Sequence, residues 1–549
     1  MSSQMDANDA CVPLPEKGSG ERSPQLPPEP DPEANYPSPF RLSLIAIGLC
    51  LAVFLFALDQ TIVANAIPRI TDEFGSVSDI GWYGSSFLLA TAAFQLFYGT
   101  AYSYFSIKYT FLFAVGIFEL GSLVCALAPT STALIIGRAV AGLGGSGIVA
   151  GALVIIAHSV PLRTRPVFLG AIGGMFGIAS VSGPLLGGVF TDHLTWRWCF
   201  WINLPLGAVT IAAVAAFFKP PVRPAVDNLP FLTKIKAIDW LGIALFIPSI
   251  VCLLLALQWG GLAYPWNDGR IIALFVLFGV LGILFGAVQF RRKERAIVPY
   301  RIITQRSIAA AAWFAFFNGA AFLVLVYYTA LWHQVVKQTS AVDSGLRLLP
   351  MIVGVVLMIM VCGGLVTAFG YYAPFMILSS IHAPIGEGLM STWTVDASFA
   401  QWFGYEALAG LAIGMGLQQP VMAVQTVLHI DDVPIASSLV VFMQTLGAAI
   451  FLSVGQSVFG NKLVTNLEAQ LGGRTPDFNP ADIFRTGAGA TDIVSRLPQQ
   501  LRVPVLEAFN DAITHVFIVS ICASSLTIIG SLAMEWRSVK KAKGSVVSG

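Results

Sequence analysis

Apolar segments of about 20 residues recur along almost the whole chain, and each is long enough to cross a bilayer as an α-helix. With 56% hydrophobic residues, 11% charged residues and a mean hydropathy of +0.75, the chain is solvated mainly by lipid. The sequence therefore predicts an all-α polytopic membrane protein with fourteen transmembrane spans. The predicted spans are residues 43–67, 81–103, 109–128, 133–157, 167–190, 199–218, 237–257, 271–290, 308–331, 345–368, 371–391, 404–427, 434–459 and 512–534.

Lysine and arginine residues concentrate in the connections on one side of these spans. The basic clusters lie within residues 163–165, 219–236, 291–306 and 537–543, on even-numbered connections or on the C-terminal tail. Because basic loops stay in the cytoplasm, we expect these regions and both termini to be cytoplasmic. The polar, proline-rich residues 1–40 predict a disordered N-terminal tail. The longest connection, 460–511, is expected to be an extracellular loop.

Several classes of protein find no support in the sequence. A net charge of +1 gives no basic surface for nucleic acid, and no G-x-x-x-x-G-K-[ST] motif indicates ATP drive. The six histidines lie at or near predicted span ends and show no i, i+4 pairing of the kind that metal sites use. We therefore expect no metal, no cofactor and no enzyme, and a membrane-embedded enzyme is the least favoured alternative.

Only four ionisable residues lie deep inside predicted spans, where a charge is costly unless it is paired or hydrated. They are Asp59, Glu119, Arg138 and Glu387. With a rise of 1.5 Å per residue, Asp59 lies about 12 Å below the outer end of the first span and Arg138 about 8 Å below that of the fourth. The two side chains are therefore expected to be able to meet, either as a structural salt bridge or as a site that binds and releases protons.

Small residues dominate the fifth predicted span. Because such residues at four-residue spacing let helix backbones approach closely in lipid, we expect tight packing along this span, with a bend or weakening near Pro184. A polar and aromatic corner, WRWCFWINLP, follows at residues 196–205. The glycines of the span are Gly170, Gly173, Gly174, Gly177, Gly183, Gly187 and Gly188.

Four segments carry a resemblance to a known family. GPLLGG at 183–188 matches the antiporter motif in the fifth helix of major facilitator superfamily drug exporters, and the corner at 196–205 is similar to that of their fourteen-span drug:H+ antiporter branch, common in fungi. LDQTIVANAIP at 58–68 resembles the first-helix motif of this branch, and GRAVAGLG at 137–144 resembles the fourth-helix motif, whose arginine is implicated in proton transfer. The resemblance covers roughly residues 40–535.

The resemblance implies a major facilitator fold. Two six-helix bundles, at 41–218 and 308–534, are expected to flank a linker at 219–307 that holds two extra transmembrane helices, with a cytoplasmic tail at 535–549. It also implies that Asp59 and Arg138 couple transport to protons, and that Gly183, Pro184, Gly187 and Gly188 form the antiporter motif. Glu119 resembles a family position as well, and it serves either proton coupling or packing.

The resemblance further implies a proton-coupled secondary transporter that exports an amphipathic organic compound, such as a fungal secondary metabolite, a mycotoxin or a drug. It implies a monomer in the lipid bilayer, in the plasma membrane or alternatively a vacuolar or vesicle membrane. An uptake carrier of the same fold, such as a siderophore permease, is the main alternative. Polar residues within the spans suit such a ligand. The candidate substrate-binding residues are Gln60, Asn65, Asn203, Asn318, Tyr327, Gln418, Gln419 and Glu387.

The connection between the second and third spans departs from the family pattern. Major facilitators usually carry acidic and basic residues here, whereas this chain reads GTAYSYFSIK at 99–108, and only Gly99 and Lys108 keep the pattern. We expect hydroxyl or aromatic contacts to replace the usual charge contacts at this cytoplasmic connection.

Overall fold

The computed structural model describes residues 36–63, 66–76, 79–261, 264–471 and 499–540. In this part of the chain the regular structure is helical apart from two isolated β-bridges. Twelve of the described helices are long and apolar enough to cross a membrane. Helices Ile80–Tyr104 and Ala373–Met390 occupy the predicted second and eleventh spans but are not among these twelve. The all-helical fold is therefore confirmed, whereas the count of fourteen spans stays a prediction.

The first half of the molecule contains six membrane-length segments and one short outer helix. A break at Ile202 divides the sixth segment into two helices. The helices are α1 (Pro39–Ile62), α2 (Ile67–Phe74), α3 (Ile80–Tyr104), α4 (Ile107–Ala126), α5 (Ser131–Ser159), α6 (Arg165–His193), α7 (Trp198–Trp201) and α8 (Asn203–Phe217).

Two long apolar helices and three short ones connect the halves. Side chains of Asp239 and Asp268 accept backbone N–H groups at the starts of the two long helices, which satisfies donors that have no partner within a helix. The helices are α9 (Pro224–Asp227), α10 (Phe231–Ala237), α11 (Trp240–Trp259), α12 (Gly269–Arg292) and α13 (Tyr300–Ile303).

The second half repeats the order of the first. Ser398 and Gln401 form a capping box that starts its fourth segment, which divides at Gln418. The helices are α14 (Arg306–Val335), α15 (Ala341–Arg347), α16 (Leu349–Phe369), α17 (Ala373–Met390), α18 (Phe399–Leu417), α19 (Gln419–Val427), α20 (Val433–Leu471) and α21 (Gln499–Ala533).

The two halves use the same helix contacts. In the first half, α1 packs on α5, α6 and α8, while α5 packs on α3 and α4, and α4 also contacts α8. In the second half, α14 packs on α18, α20 and α21, while α18 packs on α16 and α17, and α17 also contacts α21. Corresponding helices therefore have corresponding neighbours, which is the arrangement of two repeated six-helix bundles.

Glycines bring α5 close to its neighbours in the first half. A Cβ atom added to Gly142 or Gly144 would collide with the backbone of α3 or of α4, respectively. On Gly147 the added atom would lie 2.5 Å from the Tyr98 ring and 2.6 Å from Ala114. Since larger residues cannot occupy these positions without moving a helix, the small residues set the close packing of α5.

Buried apolar residues form different clusters at the two ends of the molecule. At the end that carries the basic connections, one cluster, here called the inner core, contains residues of both halves, including Tyr102, Ile156, Val424 and Val440. At the opposite end, each half has a cluster of its own. The first-half outer core includes Leu58 and Phe200, and the second-half outer core includes Trp332, Trp402 and Phe517. The buried apolar core thus runs through both halves at the predicted cytoplasmic end. At the outer end the two halves have separate cores, and Val181 of α6 packs against the second-half outer core.

One sequence expectation changes with the structure. The predicted loop 460–511 is wrong in its described parts, because α20 continues to Leu471 and α21 begins at Gln499. Buried Leu463 and Val505 show why: both extensions carry apolar residues that pack within the second-half outer core.

Residues 1–35 and the candidate ligand residue Asn65 lie outside the described residues. In the predicted C-terminal tail, the Val539 N–H donates to the Gly370 carbonyl at 2.9 Å.

Candidate functional site

The structure brings Asp59 and Arg138 together in the centre of the first half. The Arg138 guanidinium donates to Asp59 Oδ2 and, at 3.2 Å, to the Asp59 backbone carbonyl. Both side chains are fully buried, and the ion pair joins α1 to α5. A buried pair of this kind stabilises only while both partners are present, since loss of one leaves an uncompensated charge.

Arg138 has further contacts that do not involve the Asp59 carboxylate. Its Nε donates to the Tyr83 carbonyl at 2.8 Å. The guanidinium carbon lies 4.6 Å from the centre of the Phe87 ring and 5.9 Å from that of Phe200, within the range of cation–π attraction. Arg138 is therefore held by a backbone carbonyl of α3 and by two aromatic rings as well as by Asp59.

A polar chain leads from Asp59 towards Glu119. Asn203, at the start of α8, donates its amide to Asp59 Oδ1 at 3.2 Å and to Ser122 Oγ at 3.0 Å. Glu119 lies one helical turn before Ser122 on α4, packed against Gly207. Neither carboxylate oxygen of Glu119 has a hydrogen-bond partner within the described residues. The Asn203 amide thus joins Asp59 to Ser122, and Glu119 lies one turn from that serine without a hydrogen bond to it.

The glycines of α6 fall on two different surfaces. Gly170, Gly174 and Gly177 approach α16 of the second half, and Gly173 approaches both α16 and Gln418. Gly183 and Gly187 instead face α1, where a Cβ atom on Gly187 would lie 2.5 Å from the Ile62 carbonyl oxygen. The expected tight packing is present, but α6 uses its inner glycines between the halves and its outer glycines within the first half. The remaining motif residues, Pro184 and Gly188, are half-buried on α6.

The corner after α6 fixes the outer end of the first half. Trp196 Nε1 donates to Glu73 Oε2 at 2.6 Å, and Arg197 forms a salt bridge with Glu73 Oε1 at 2.9 Å. Arg197 also donates to the Ala128 carbonyl at 3.1 Å. The hydrogen bond from Arg197 lowers the pKa of Glu73 below its ordinary value. The aromatic and basic residues of this corner therefore tie together α2, α6 and the end of α4.

The unusual connection between α3 and α4 is held through backbone carbonyls. Arg223, from the linker, donates to the carbonyls of Tyr102 at 2.9 Å and Ser103 at 3.3 Å and also to that of Phe105. The Tyr102 hydroxyl donates to the Gly147 carbonyl at 2.8 Å. A tyrosine hydroxyl contact is thus present, as expected, and an arginine distant in sequence supplies the charge.

The predicted ligand residues do not form one cluster. Asn203 is committed to the Asp59 site, and Glu387 accepts a hydrogen bond from Ser524 at 2.7 Å in the second half. Gln418 lies against α6 between the halves, and Tyr327 is half-exposed on α14. The other described candidates are Gln60, which is half-buried, and Asn318 and Gln419, which are buried.

A second buried pair of ionisable residues escaped the sequence analysis. His333 Nε2 and Glu406 Oε1 are 2.7 Å apart, and both side chains are fully buried between α14 and α18. The predicted spans, 308–331 and 404–427, left His333 outside and Glu406 at an edge. The helices extend further, to Val335 and back to Phe399, so both residues lie inside. The statement that only four deep ionisable residues exist is therefore wrong. Trp332, Trp393 and Trp402, which surround the pair, are the residues that could have indicated this site.

Residues 49–452 match the family model described as Major Facilitator Superfamily. The chain belongs to this superfamily. Relatives from two fungi are similar over nearly their full lengths. The "MFS-type efflux pump MFS1" of Arthroderma benhamiae is 49% identical over 509 residues, which cover 93% of this chain and 94% of the relative. The "Aspyridones efflux protein" of Neocamarosporium betae is 47% identical over 521 residues, covering 95% and 92%.

The fold of this major facilitator is also found among solved structures. The human organic anion transporter MFSD10 (TETRAN) has a TM-score of 0.57 with 12% identity, covering 88% of this chain and 99% of that one. Together, the family match and the fungal relatives confirm the predicted resemblance to fungal exporters. The chain is a multi-pass membrane transporter of a small molecule.

Proposed function

We propose that this protein is a proton-coupled antiporter that exports an amphipathic organic compound, such as a fungal secondary metabolite or a drug, from the cell. We further propose that it acts as a monomer in the plasma membrane. The observation that carries the proposal is the fully buried cluster of Asp59, Arg138 and Asn203, which joins three helices of the first half. The names of the fungal relatives support export as the direction.

Asp59 is the group proposed to bind the transported proton. In the deprotonated state, its two carboxylate oxygens accept hydrogen bonds from Arg138 and Asn203. Protonation at Asp59 removes the negative charge and weakens the attraction between α1 and α5. Arg138 then still donates hydrogen bonds to the backbone carbonyls of Tyr83 and Asp59, and its guanidinium still lies over the ring of Phe87. Because these contacts are independent of the carboxylate charge, the arginine stays supported in both protonation states.

Glu119 is proposed as a second carboxylate on the same proton path. Its oxygens have no hydrogen-bond partner within the described residues, and its neighbour Ser122 shares the Asn203 amide with Asp59. A proton that leaves Asp59 therefore has a nearby acceptor that does not require Arg138 to move. This assigns Arg138 a tuning role and leaves proton transfer to the two acids.

The compound is proposed to bind between the halves. The two outer cores are separate while the inner core is continuous, which is the arrangement expected of a transporter open to the outside. Gln418 stands where the halves meet, and its amide suits a mostly apolar compound with a few polar groups. A conformational change that separates the halves at the inner core and brings the two outer cores together would expose the same binding region to the cytoplasm.

The test replaces Asp59 with Asn, which keeps the shape and removes the titration. Per proton exchanged, a pH difference of about one unit supports about a tenfold concentration gradient of the compound. We expect Asp59→Asn to bind rhodamine 6G, a fluorescent amphipathic dye, but to lose this gradient, so that efflux ceases to depend on outer pH. Dye efflux and surface abundance are measured in the same cells, at acidic and at neutral outer pH.

Arg138→Lys serves as the matched variant, because it keeps the charge but not the forked geometry. We expect Arg138→Lys to shift the pH dependence of dye efflux while efflux itself still occurs. If Asp59→Asn instead disappears from the membrane, the ion pair is structural. Normal pH-driven efflux by a well-expressed Asp59→Asn contradicts the proposal and moves the proton site to Glu119. Dye accumulation driven into cells by wild type would indicate an uptake carrier.

A further inference from the structure

The two buried pairs, Asp59 with Arg138 and His333 with Glu406, occupy corresponding positions in the two halves. Asp59 lies three residues before the end of α1, and His333 lies two residues before the end of α14, the first helix of the second half. Arg138 comes seven residues after Ser131, where α5 begins, and Glu406 comes seven residues after Phe399, where α18 begins. Each pair therefore joins the first and fourth long helices of its half near their outer ends.

The third helix of each half adds a buried glutamate to this correspondence. Glu119 of α4 packs against Gly207 of α8, and Glu387 of α17 accepts a hydrogen bond from Ser524 of α21. Both α8 and α21 are the sixth long segments of their halves. In each half, at least one oxygen of this glutamate has no hydrogen-bond partner within the described residues. The repeat thus extends from the helix contacts to three ionisable positions.

We propose that His333 and Glu406 form a second proton-binding site of this transporter, in addition to Asp59. The inference rests on proton coupling as the proposed function. Without the proton, a neutral imidazole faces a carboxylate and the pair has a charge of −1. Binding of one proton from water gives a neutral pair, with the proton shared along the 2.7 Å contact between Nε2 and Oε1. The exchange requires no other reactant.

Cationic groups beside the pair stabilise its negative state. The cationic groups acting on the pair are Arg347 of α15 and Lys337, just beyond α14. They offset the negative state, while Asp396 acts on Lys337 from the segment before α18. The acids on the neighbouring helices have other partners: Glu387 of α17 binds Ser524, and Asp511 of α21 binds Asn466.

Aromatic rings enclose the imidazole. The centroid of His333 lies 5.0 Å from those of Trp332 and Trp402 and 6.3 Å from that of Trp393. Asn510 fixes this enclosure, since it accepts from Trp332 Nε1 and donates to the Trp393 carbonyl, each at 2.8 Å. Rings of this kind exclude water yet tolerate a cationic imidazole. His333 Nδ1 and Glu406 Oε2 are buried without a hydrogen-bond partner among the described residues, so the pair has capacity left to exchange a proton.

The test follows carboxyl groups directly, so it needs no knowledge of the transported compound. Infrared difference spectra of the purified full chain in lipid are recorded between mildly acidic and mildly alkaline pH, without compound. We expect Glu406→Gln to remove one titrating carboxyl band, and His333→Asn to shift the same band, because the partner of the carboxyl has changed. Asp59→Asn should remove a different band. Glu507→Gln, an exposed carboxylate on α21, is the control for a solvent-exposed group.

The outcomes separate this inference from the proposed function. If Glu406→Gln folds and leaves the titrating carboxyl bands unchanged, Glu406 does not exchange a proton and the second site is overturned. Loss of the Glu406 band with no band lost in Asp59→Asn overturns Asp59 as the proton site and keeps the second one. Should Glu406→Gln fail to fold, the double variant His333→Leu/Glu406→Met removes both ionisable groups together, which buried pairs often tolerate. Retention of every wild-type carboxyl band in that variant equally overturns the second site.

Discussion

The inner and outer ends of this transporter are held together in different ways. At the inner end, one apolar core runs through both halves, and Gly99 and Gly363 bring helices of opposite halves into close contact. At the outer end, each half has its own core, and Gly183 and Gly187 bring α6 against α1 within the same half. Close glycine packing therefore joins the halves where the apolar core is continuous and strengthens a single half where the cores are separate.

This difference indicates which contacts must change during transport. Contacts within a half, including both buried pairs of ionisable residues, can persist while the halves move as bodies. Contacts between the halves at the inner end must be lost when the molecule opens to the cytoplasm. The contact between α6 and α16 is one of these, because Gly363 of α16 lies against the backbone of Pro166 and Val167.

The largest effect is expected from Gly99→Leu at the inner end. A Cβ atom at Gly99 would lie 2.8 Å from Ser438 of α20, so a leucine forces α3 and α20 apart. Overpacking of this kind costs about 1–3 kcal/mol, which is enough to shift a balance between two conformations. Spin labels at Tyr109 and Phe369, exposed at the inner ends of α4 and α16, should move apart by several ångströms, about one side-chain diameter.

Gly116→Leu is the matched control for this inner-end prediction. Nothing lies within 4 Å of a Cβ atom built on Gly116, so the leucine should leave the label distance unchanged. An unchanged distance in a folded Gly99→Leu protein would show that the contact between α3 and α20 does not hold the inner end closed.

A smaller and more local effect is expected from Gly187→Leu at the outer end. The added side chain meets the Ile62 carbonyl of α1, three residues after Asp59. We expect about 1–3 kcal/mol of destabilisation within the first half and loss of coupled dye efflux. The distance between the inner labels should stay that of wild type. Gly84→Leu, whose Cβ atom would have no neighbour within 4 Å, is the control. Coupled efflux at the wild-type rate by Gly187→Leu would contradict the assigned packing.

The pairing of Asp59 with Arg138 could be predicted from the sequence, because the position of each residue within its apolar run gives its depth in the membrane. Asp59 and Arg138 stand well inside apolar runs, and the helical rise places them at a similar level, where the structure joins them. The glycines of α6 were equally visible, but spacing along one helix does not reveal which neighbour each glycine meets. That information comes only from the assembled helices, where Gly177 meets α16 and Gly187 meets α1.

The second-half site was missed for a different physical reason. Hydropathy falls wherever an apolar run meets polar residues, so the predicted span 308–331 stopped before His333 and the span 404–427 left Glu406 at its edge. The helices continue because Trp332, Trp393 and Trp402 bury the pair, and this burial depends on residues far apart in the chain. The same error shortened α20, whose last turns pack through Leu463 and Leu467 in the second-half outer core.

The smallest expected effect concerns the outer corner, and it tests whether that end is held within one half. Glu73 accepts hydrogen bonds from Trp196 and Arg197 on the outer surface of the first half. Because its pKa is lowered, the stabilisation is present above the ordinary pKa of a carboxyl group and is lost as the pH falls through the lowered value. Glu73 is partly exposed, so the loss of stability in Glu73→Gln should be about 0.2–1 kcal/mol at neutral pH and should vanish at strongly acidic pH.

Thermal unfolding followed by tryptophan fluorescence measures this difference in stability, with Asp72→Asn, exposed on the same helix, as the control. A destabilisation that persists at acidic pH would show that Glu73 acts through packing rather than charge. A change in the distance between the inner labels would show that the corner also influences the closed end.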